Sequence, residues 1–296
     1  MKIRNVLGLF DGISCGQVAL QRAGIKHDQY YASEIDKNPI KVTQKNWPKT
    51  VQLGDITKWR DWDLENIDLI IGGSPCQGFS TAGRQLNFDD PRSKLFFEFL
   101  DIVNHYKPKY WLLENVVMKD DVRDAISAAL GVEPVFINSN LVSAQNRKRY
   151  YWTNIPDVVL PADRGIKLSD ILESDDYPNA ANVVGRRLNA DGVRKDYDKS
   201  VPITQCLQVR KDSTKVPCLT TVSKDAVVSS LLHGRYPEAY ENPIKKGWRD
   251  LSNLECERLQ TLPDGYTEGI AETQRRRAIG NGWTVDVITH IFGFMK

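Results

Sequence analysis

The chain has no apolar run of the ~20 residues that a membrane-spanning helix needs, so no membrane partner is expected. It opens on MKIRNVLGLFDG, where a short apolar stretch runs straight into glycine; this reads as a buried strand rather than a cleavable signal. Its five cysteines (Cys15, Cys76, Cys206, Cys218, Cys256) never form a C-x-x-C pair, and there are only four histidines. That scarcity argues against a disulfide framework and against a zinc site, and it suits a reducing cytoplasm. Internal repeats and low-complexity tracts are absent, which excludes solenoid and fibrous architectures. Net charge is only +2, so the chain as a whole does not declare a polyanionic partner.

Charge is nevertheless unevenly spread. Val183 to Asp250 holds 13 Lys and Arg against 8 Asp and Glu, leaving the remainder at −3. A basic second half beside a mildly acidic first half suits a catalytic domain joined to one that grips a polyanion. The first 155 or so residues alternate short apolar runs with amphipathic stretches, the pattern of strand-helix-strand units around a parallel sheet. Strands are expected at Arg4–Phe10, Gln29–Ser33, Asp68–Ile71 and Tyr110–Leu113, the last ending at Glu114, with helices at Ser14–Ala23 and Leu95–Tyr106. Beyond Pro156, prolines, glycines and charges become frequent, and the apolar runs shorten to Val201–Leu207, Val216–Val222 and Ala226–Leu232. This predicts a small, irregular, mostly β domain over 156–265, with helical periodicity returning near Leu251. The final amphipathic segment, 266–296, is expected to return to the first domain, 1–155.

Three constellations carry chemistry. In LGLFDGISCG a strand ends in a glycine turn before a helix, which lets a ligand approach the backbone at Phe10, Asp11, Gly12 and Ile13. Glu34, 22 residues beyond Gly12 at the end of the second strand, could accept from ribose hydroxyls, and Asp55 in GDI from an adenine amino group. Acidic strand ends favour an adenosine-containing cofactor without separating nicotinamide dinucleotide from S-adenosylmethionine. In GGSPCQGFS, residues 72–80, Cys76 follows a buried strand and a stiffening proline, as an exposed nucleophile would. Glu114-Asn115-Val116, at the next strand end, would stand beside it on the sheet edge where α/β proteins bind ligands.

Together FDGISCG, SEID, GDI, GGSPCQGFS, ENV, QNRKR (145–149), LECERLQTLPDGY (254–266) and IGNGWTV (279–285) resemble, in order, the motifs of the DNA cytosine-5 methyltransferase family. In wording they are most similar to the catalytic domain of the animal de novo enzymes. The resemblance implies a Rossmann-like, mostly parallel α/β fold with a smaller target-recognition domain, and methyl transfer from S-adenosylmethionine to carbon 5 of a flipped-out cytosine in duplex DNA. It makes Cys76 the nucleophile on carbon 6 and Glu114 the partner of N3 and the exocyclic amine. Arg147 is then expected at the base O2, with Arg149 bracing the loop. Ile35, Ile56, Ser74, Pro75, Asn281 and Trp283 join the expected cofactor contacts. Gln77, Ser80, Arg84, Arg186, Arg187, Arg210, Lys211, Thr220 and Thr221 are the candidate DNA contacts, with Lys215 a further phosphate candidate. A monomer or weak homo-oligomer in the cytoplasm of a bacterial or phage-infected cell, without a metal, is the expected setting. The tRNA-directed branch carries a C-F-T tripeptide that this sequence lacks, amino-directed enzymes a D/N/S-P-P-aromatic motif that it also lacks. A non-catalytic relative would usually have lost Cys76 or Glu114.

Overall fold

The computed structural model describes residues 1–74, 91–189, 193, 195, 197–211, 214–237 and 247–296, without the side chains of 91–93 and 224. β1 (Lys2–Leu9), β2 (Lys26–Ser33), β3 (Val51–Gln52), β4 (Ile67–Gly72) and β5 (Tyr110–Val116) run parallel. β6 (Val135–Asn138) and β8 (Lys148–Thr153) extend the same sheet antiparallel, in the order β3-β2-β1-β4-β5-β8-β6. Between them in the chain, β7 (Gln145–Asn146) leaves this sheet to pair with β11 (Val216–Pro217).

The near-continuous apolar character of β1, β4 and β5 follows from burial on both faces. Val6, Leu69, Ile71 and Leu112 face one core, which α1 (Cys15–Arg22) and α7 (Val285–Phe292) cover with Val18, Leu20, Ile288 and Ile291. Leu7, Leu9, Ile70 and Leu113 face the other, where Phe96, Phe99 and Ile102 of α3 (Pro91–Tyr106) and Ile126 of α4 (Asp120–Leu130) pack. The period of two along each strand decides which helix layer a side chain meets. α2 (Lys37–Asn46) follows β2, capped by the Asp36 carboxylate, which accepts from Asn38 N at 2.9 Å.

A second, five-stranded sheet is antiparallel, ordered β13-β10-β9-β12-β14. Its strands are β9 (Asn179–Arg187), β10 (Ile203–Val209), β12 (Val227–Ser229), β13 (Gly234–Tyr236) and β14 (Trp248–Asp250). Val183, Leu207, Val209, Val227 and Trp248 form its own apolar cluster. Of the apolar run Val216–Val222, only the two residues of β11 are strand. Pro217 has no N–H for a ladder, and the Thr220 hydroxyl takes over as acceptor for Val222 N at 3.0 Å, turning the chain. α5 (Asn253–Leu259) starts on a capping box, Ser252 Oγ accepting from Glu255 N and Glu255 from Ser252 N. α6 (Glu272–Asn281) then brings the chain back to the carboxyl ends of the parallel strands.

Candidate active site

A cavity of about 680 Å³ opens where β1 and β4 part company, the switch point of the doubly wound sheet. At its floor the chain leaves β1 through Phe10 and Gly12, both with positive φ, and enters α1 from a left-handed Ser14. Gly12 N donates to Glu34 Oε2 at 2.9 Å, while Glu34 Oε1 accepts from Ile35 N (2.7 Å) and Asp36 N (2.8 Å). One carboxylate thus locks the β1 turn to the end of β2 and stays on the cavity wall. Ile35 beside it is 73% exposed, an apolar side chain on the wall of the cavity. Asp55 caps the short turn after β3 by accepting from Thr57 N at 2.9 Å, and its side chain is exposed.

The expected cofactor contacts Phe10, Gly12, Glu34, Ile35, Asp55, Ile56, Ser74 and Asn281 all line this cavity. Asp11, Ile13 and Trp283 do not. The Asp11 carboxylate turns inward beneath Gly8, accepting from Tyr30 Oη at 2.5 Å and from Ser14 Oγ. Burial raises its pKa to about 7 even though both bonds pull it down. Ile13 is 1% exposed, a core residue. Trp283 packs against the same core, with its Nε1 close over Gly73. Asn38, Gln274 and Arg277, which the motifs did not single out, complete the rim, and Asn38 Nδ2 reaches Gln274 Oε1 at 3.4 Å.

At the far end of the cavity stands Glu114 at the end of β5, 8% exposed, paired with Arg149 Nε at 2.7 Å. Glu114 opposes Tyr151 and Val116 opposes Arg149 across the β5–β8 ladder, so the pair is a diagonal contact on one sheet face. Desolvation is the largest single influence on Arg149 and works against its charge, yet Glu114, Cys218 and Tyr151 together outweigh it and its pKa is raised. Arg147 is placed otherwise. It is 3% exposed and donates to Leu219 O (2.9 Å), Gly280 O (3.3 Å) and Gly282 O (2.8 Å). Burial, then Arg149, lowers its pKa. Both arginines line the cavity: Arg149 is paired to Glu114, and Arg147, which the sequence reading set at the base with Arg149 as the brace, is tied to three backbone carbonyls. Asn115 Nδ2 holds both Ser74 O and Ser74 Oγ at 3.2 Å, tethering the chain just before the loop with Cys76. Cys76, Pro75, Gln77, Ser80 and Arg84 lie outside the described residues.

On the second sheet and its loops the expected DNA contacts divide. Arg210, Lys211 and Thr221 are exposed, and Arg186 is half-buried. Arg187 is turned to its own lobe, donating to Lys199 O at 3.3 Å and to Val201 O. Lys215 donates to Asn140 O (2.7 Å) and Ser143 O (3.0 Å), which takes it away from phosphate duty. The Thr220 hydroxyl donates to Asp225 at 2.6 Å and shapes the turn rather than facing outward.

A doubly wound sheet, a cavity at its switch point and a Glu-Arg pair at the strand ends define a Rossmann-like α/β protein with a ligand site at the carboxyl ends of its strands. Within that class the chain belongs to the C-5 cytosine-specific DNA methylase family, whose model matches residues 4–123 and 139–296. Among its relatives, the type II methyltransferase M.NgoBV of Neisseria gonorrhoeae is 31% identical over 221 residues, 66% of this chain and 52% of that one. M1.ScrFI of Lactococcus lactis subsp. cremoris is 28% identical over 310 residues, 96% of this chain and 75% of that one. The match thus spans about half the length of M.NgoBV. The methyltransferase EhMeth of Entamoeba histolytica shares the fold, with a TM-score of 0.72 at 18% identity over 99% of this chain and 98% of that one. Both sequence relatives are bacterial, so the motif wording shared with animal de novo enzymes does not mark this chain as one of them.

Proposed function

We propose that the protein is a DNA (cytosine-5-)-methyltransferase acting on duplex DNA, with Cys76 as nucleophile. The observation that carries this reading is the Glu114–Arg149 pair, set at the strand end beside Ser74, two residues before Cys76, in a chain of this family. The cavity fits S-adenosylmethionine: Glu34 and Asp55 offer carboxylate oxygens toward ribose and adenine, and exposed Ile35 offers an apolar face for the adenine ring. The cofactor would supply an electrophilic methyl group.

Carbon 5 of cytosine is a poor nucleophile until a thiolate adds at carbon 6 and breaks the ring's aromaticity. Cys76 makes that bond, and electron density moves through the ring toward N3 and O2. Glu114 accepts from the exocyclic amine and shares a proton with N3, while Arg149 stabilises charge at O2. After carbon 5 takes the methyl group, loss of its proton and departure of the thiolate restore the double bond and free Cys76. The base must leave the helix to reach this site. Arg210, Lys211, Arg186 and Thr221 are the exposed or half-exposed groups for the DNA around it, within a recognition domain read as residues 156–265 between a catalytic domain (1–155) and its returning segment (266–296). We read the animal-like motif wording as a shared active-site build. We read the setting as the cytoplasm and the assembly as a monomer or weak homo-oligomer.

Transfer of labelled methyl to random-sequence duplex DNA, followed by sequencing for methylcytosine, tests the reading. Wild type should label cytosine in a defined sequence context, and Cys76→Ser should not. Cofactor binding without any DNA label would overturn it.

A further inference from the structure

We propose that Arg276 is a positioning residue for target discrimination, clamping the recognition turn at residues 220–226 to the helix that walls the cofactor cavity. The inference rests on the methyltransferase reading but uses residues outside the Cys76–Glu114–Arg149 machinery.

α6 meets two neighbours, the cavity and the turn, and Gly280 borders both. Gln274, Arg277, Ala278 and Asn281, at spacings of three and four, line the cavity. Arg276 and Gly280, four apart, meet the turn. Arg276 Nη2 donates to Ser223 O (3.1 Å) and Ala226 O (3.2 Å), and its Nη1 to Leu251 O (2.5 Å). Among the described residues its buried Nε has no hydrogen-bond partner, so the clamp described acts through the two terminal nitrogens. Gly280 lies so close that an added Cβ would stand 2.3 Å from Thr220 O, and Arg147 ties Leu219 O to Gly280 O at the turn's entry.

The turn is closed within itself as well. The Thr220 hydroxyl bonds Asp225 at 2.6 Å and accepts from Val222 N at 3.0 Å, and Asp225 N donates to Val222 O at 3.2 Å. What the turn presents outward is Thr221 and Val222, the latter 53% exposed. A loop that reads a base must hold its side chains within a fraction of an ångström, and rigid support of that kind comes from the shell behind it. Here that shell is α6, so whatever fixes α6 also fixes the turn. A cofactor seated against Gln274, Ala278 and Asn281 steadies the turn, and by reciprocity a seated turn favours cofactor binding.

The test compares wild type, Arg276→Ala and Arg276→Lys in two measurements. Methylation of a random duplex library gives the rate ratio between the preferred sequence and its single-mismatch neighbours. Hydrogen exchange with and without S-adenosylhomocysteine reports protection at 220–226. Arg276→Ala should lower the rate ratio by about tenfold, the scale of one base contact. S-adenosylhomocysteine affinity by calorimetry should weaken by a few-fold at most, the reciprocal of the lost steadying of the turn. Arg276→Lys, which keeps one donor group near the carbonyls, should recover part of the ratio. Cofactor-dependent protection of the turn should be present in wild type and lost in Arg276→Ala. If Arg276→Ala slows all sequences equally with the ratio intact, the residue is merely structural and the proposal falls. It falls too if the cofactor protects the turn equally in both proteins. A wild type that methylates no DNA would sink the enzymatic reading instead, and the exchange measurement would still decide the clamp.

Discussion

Replacing Gly280 by alanine sets two effects of known sign against each other. Alanine in a helix is favoured over glycine by up to ~1 kcal/mol, and less near a helix end, where Gly280 is the penultimate residue of α6. Against this, the new Cβ would stand 2.3 Å from Thr220 O, 2.5 Å from Thr220 C and 3.0 Å from Thr221 N. All three are backbone atoms, so no side chain can rotate out of the way, and overpacking of that kind costs ~1–3 kcal/mol. The net expectation is a loss of ~1–2 kcal/mol, a fall of roughly 2–8 °C in melting temperature by the usual scaling for a large domain. Gly16→Ala is the matched control. Its Cβ would also stand at 2.3 Å, but from Ile71 Cδ1, the far end of a flexible side chain, so its loss should be smaller and should not touch DNA selectivity. Thermal unfolding by circular dichroism and the methylation rate ratio read the two variants. A Gly280→Ala protein that melts at or above wild type, with selectivity intact, would refute the claim that the recognition turn rests on α6.

Arg149→Gln should cut methyl transfer by about a hundredfold, the scale of one transition-state donor, at near-normal cofactor affinity. Arg147→Gln should chiefly cost stability, ~2–4 kcal/mol, because the carbonyls of Leu219, Gly280 and Gly282 lose a buried charged donor; chemical denaturation and single-turnover rates separate the two. Ile35→Ala should leave the melting temperature of the free protein within a degree or so, since the side chain is 73% exposed, yet weaken S-adenosylhomocysteine binding by roughly tenfold as adenine loses apolar cover. Asp11 titrates in the folded protein near 7 against 3.8 for the ordinary group. The folded chain therefore holds a proton that the unfolded chain releases above 3.8, and the stability from this group is full below that pH and lost as pH rises through about 7. Denaturation midpoints across this window should fall with pH in wild type and flatten in Asp11→Asn.

Much of the frame was legible because burial leaves a strong mark on sequence. VLGLF, DLIIG and YWLLE are apolar on consecutive residues, as strands covered on both faces must be, and the sheet places them side by side. Glu34 could be placed at the sheet edge, where it lines the cavity, because its position at the end of β2 follows from the strand length. The turn at 220–226 was not legible as a turn. VPCLTTV has the composition of a strand, and only the proline and the Thr220–Asp225 bond, which depends on a contact five residues away, break it. Asp11 failed for a different reason. Its position in the glycine turn predicts a ligand contact, but Gly8 leaves a space under the strand that the carboxylate fills against Tyr30. Sequence shows that a carboxylate is at the turn and not which way it faces.

The two arginines of QNRKR show the same limit at the point that matters most for chemistry. Strand periodicity cannot separate Arg147 from Arg149, since residues two apart share a face. What separates them is that β7 ends at Asn146 and β8 begins at Lys148, so Arg147 sits in the break between two ladders. There β7 is paired with β11, and the chain beyond β11 brings Leu219 O over the guanidinium, while the end of α6 brings Gly280 O and Gly282 O. Three carbonyls converging on a desolvated cation make a brace, at a residue that still lines the cavity. Arg149, inside β8 and diagonal to Glu114, faces the cavity with its charge balanced by the one carboxylate a cytosine edge would need. The same break lets Arg147 tie the entry of the 220–226 turn to the end of α6, which walls the cavity. A substitution at Arg147 should therefore loosen target choice and cofactor grip together, whereas one at Arg149 should slow the chemical step and leave both largely in place.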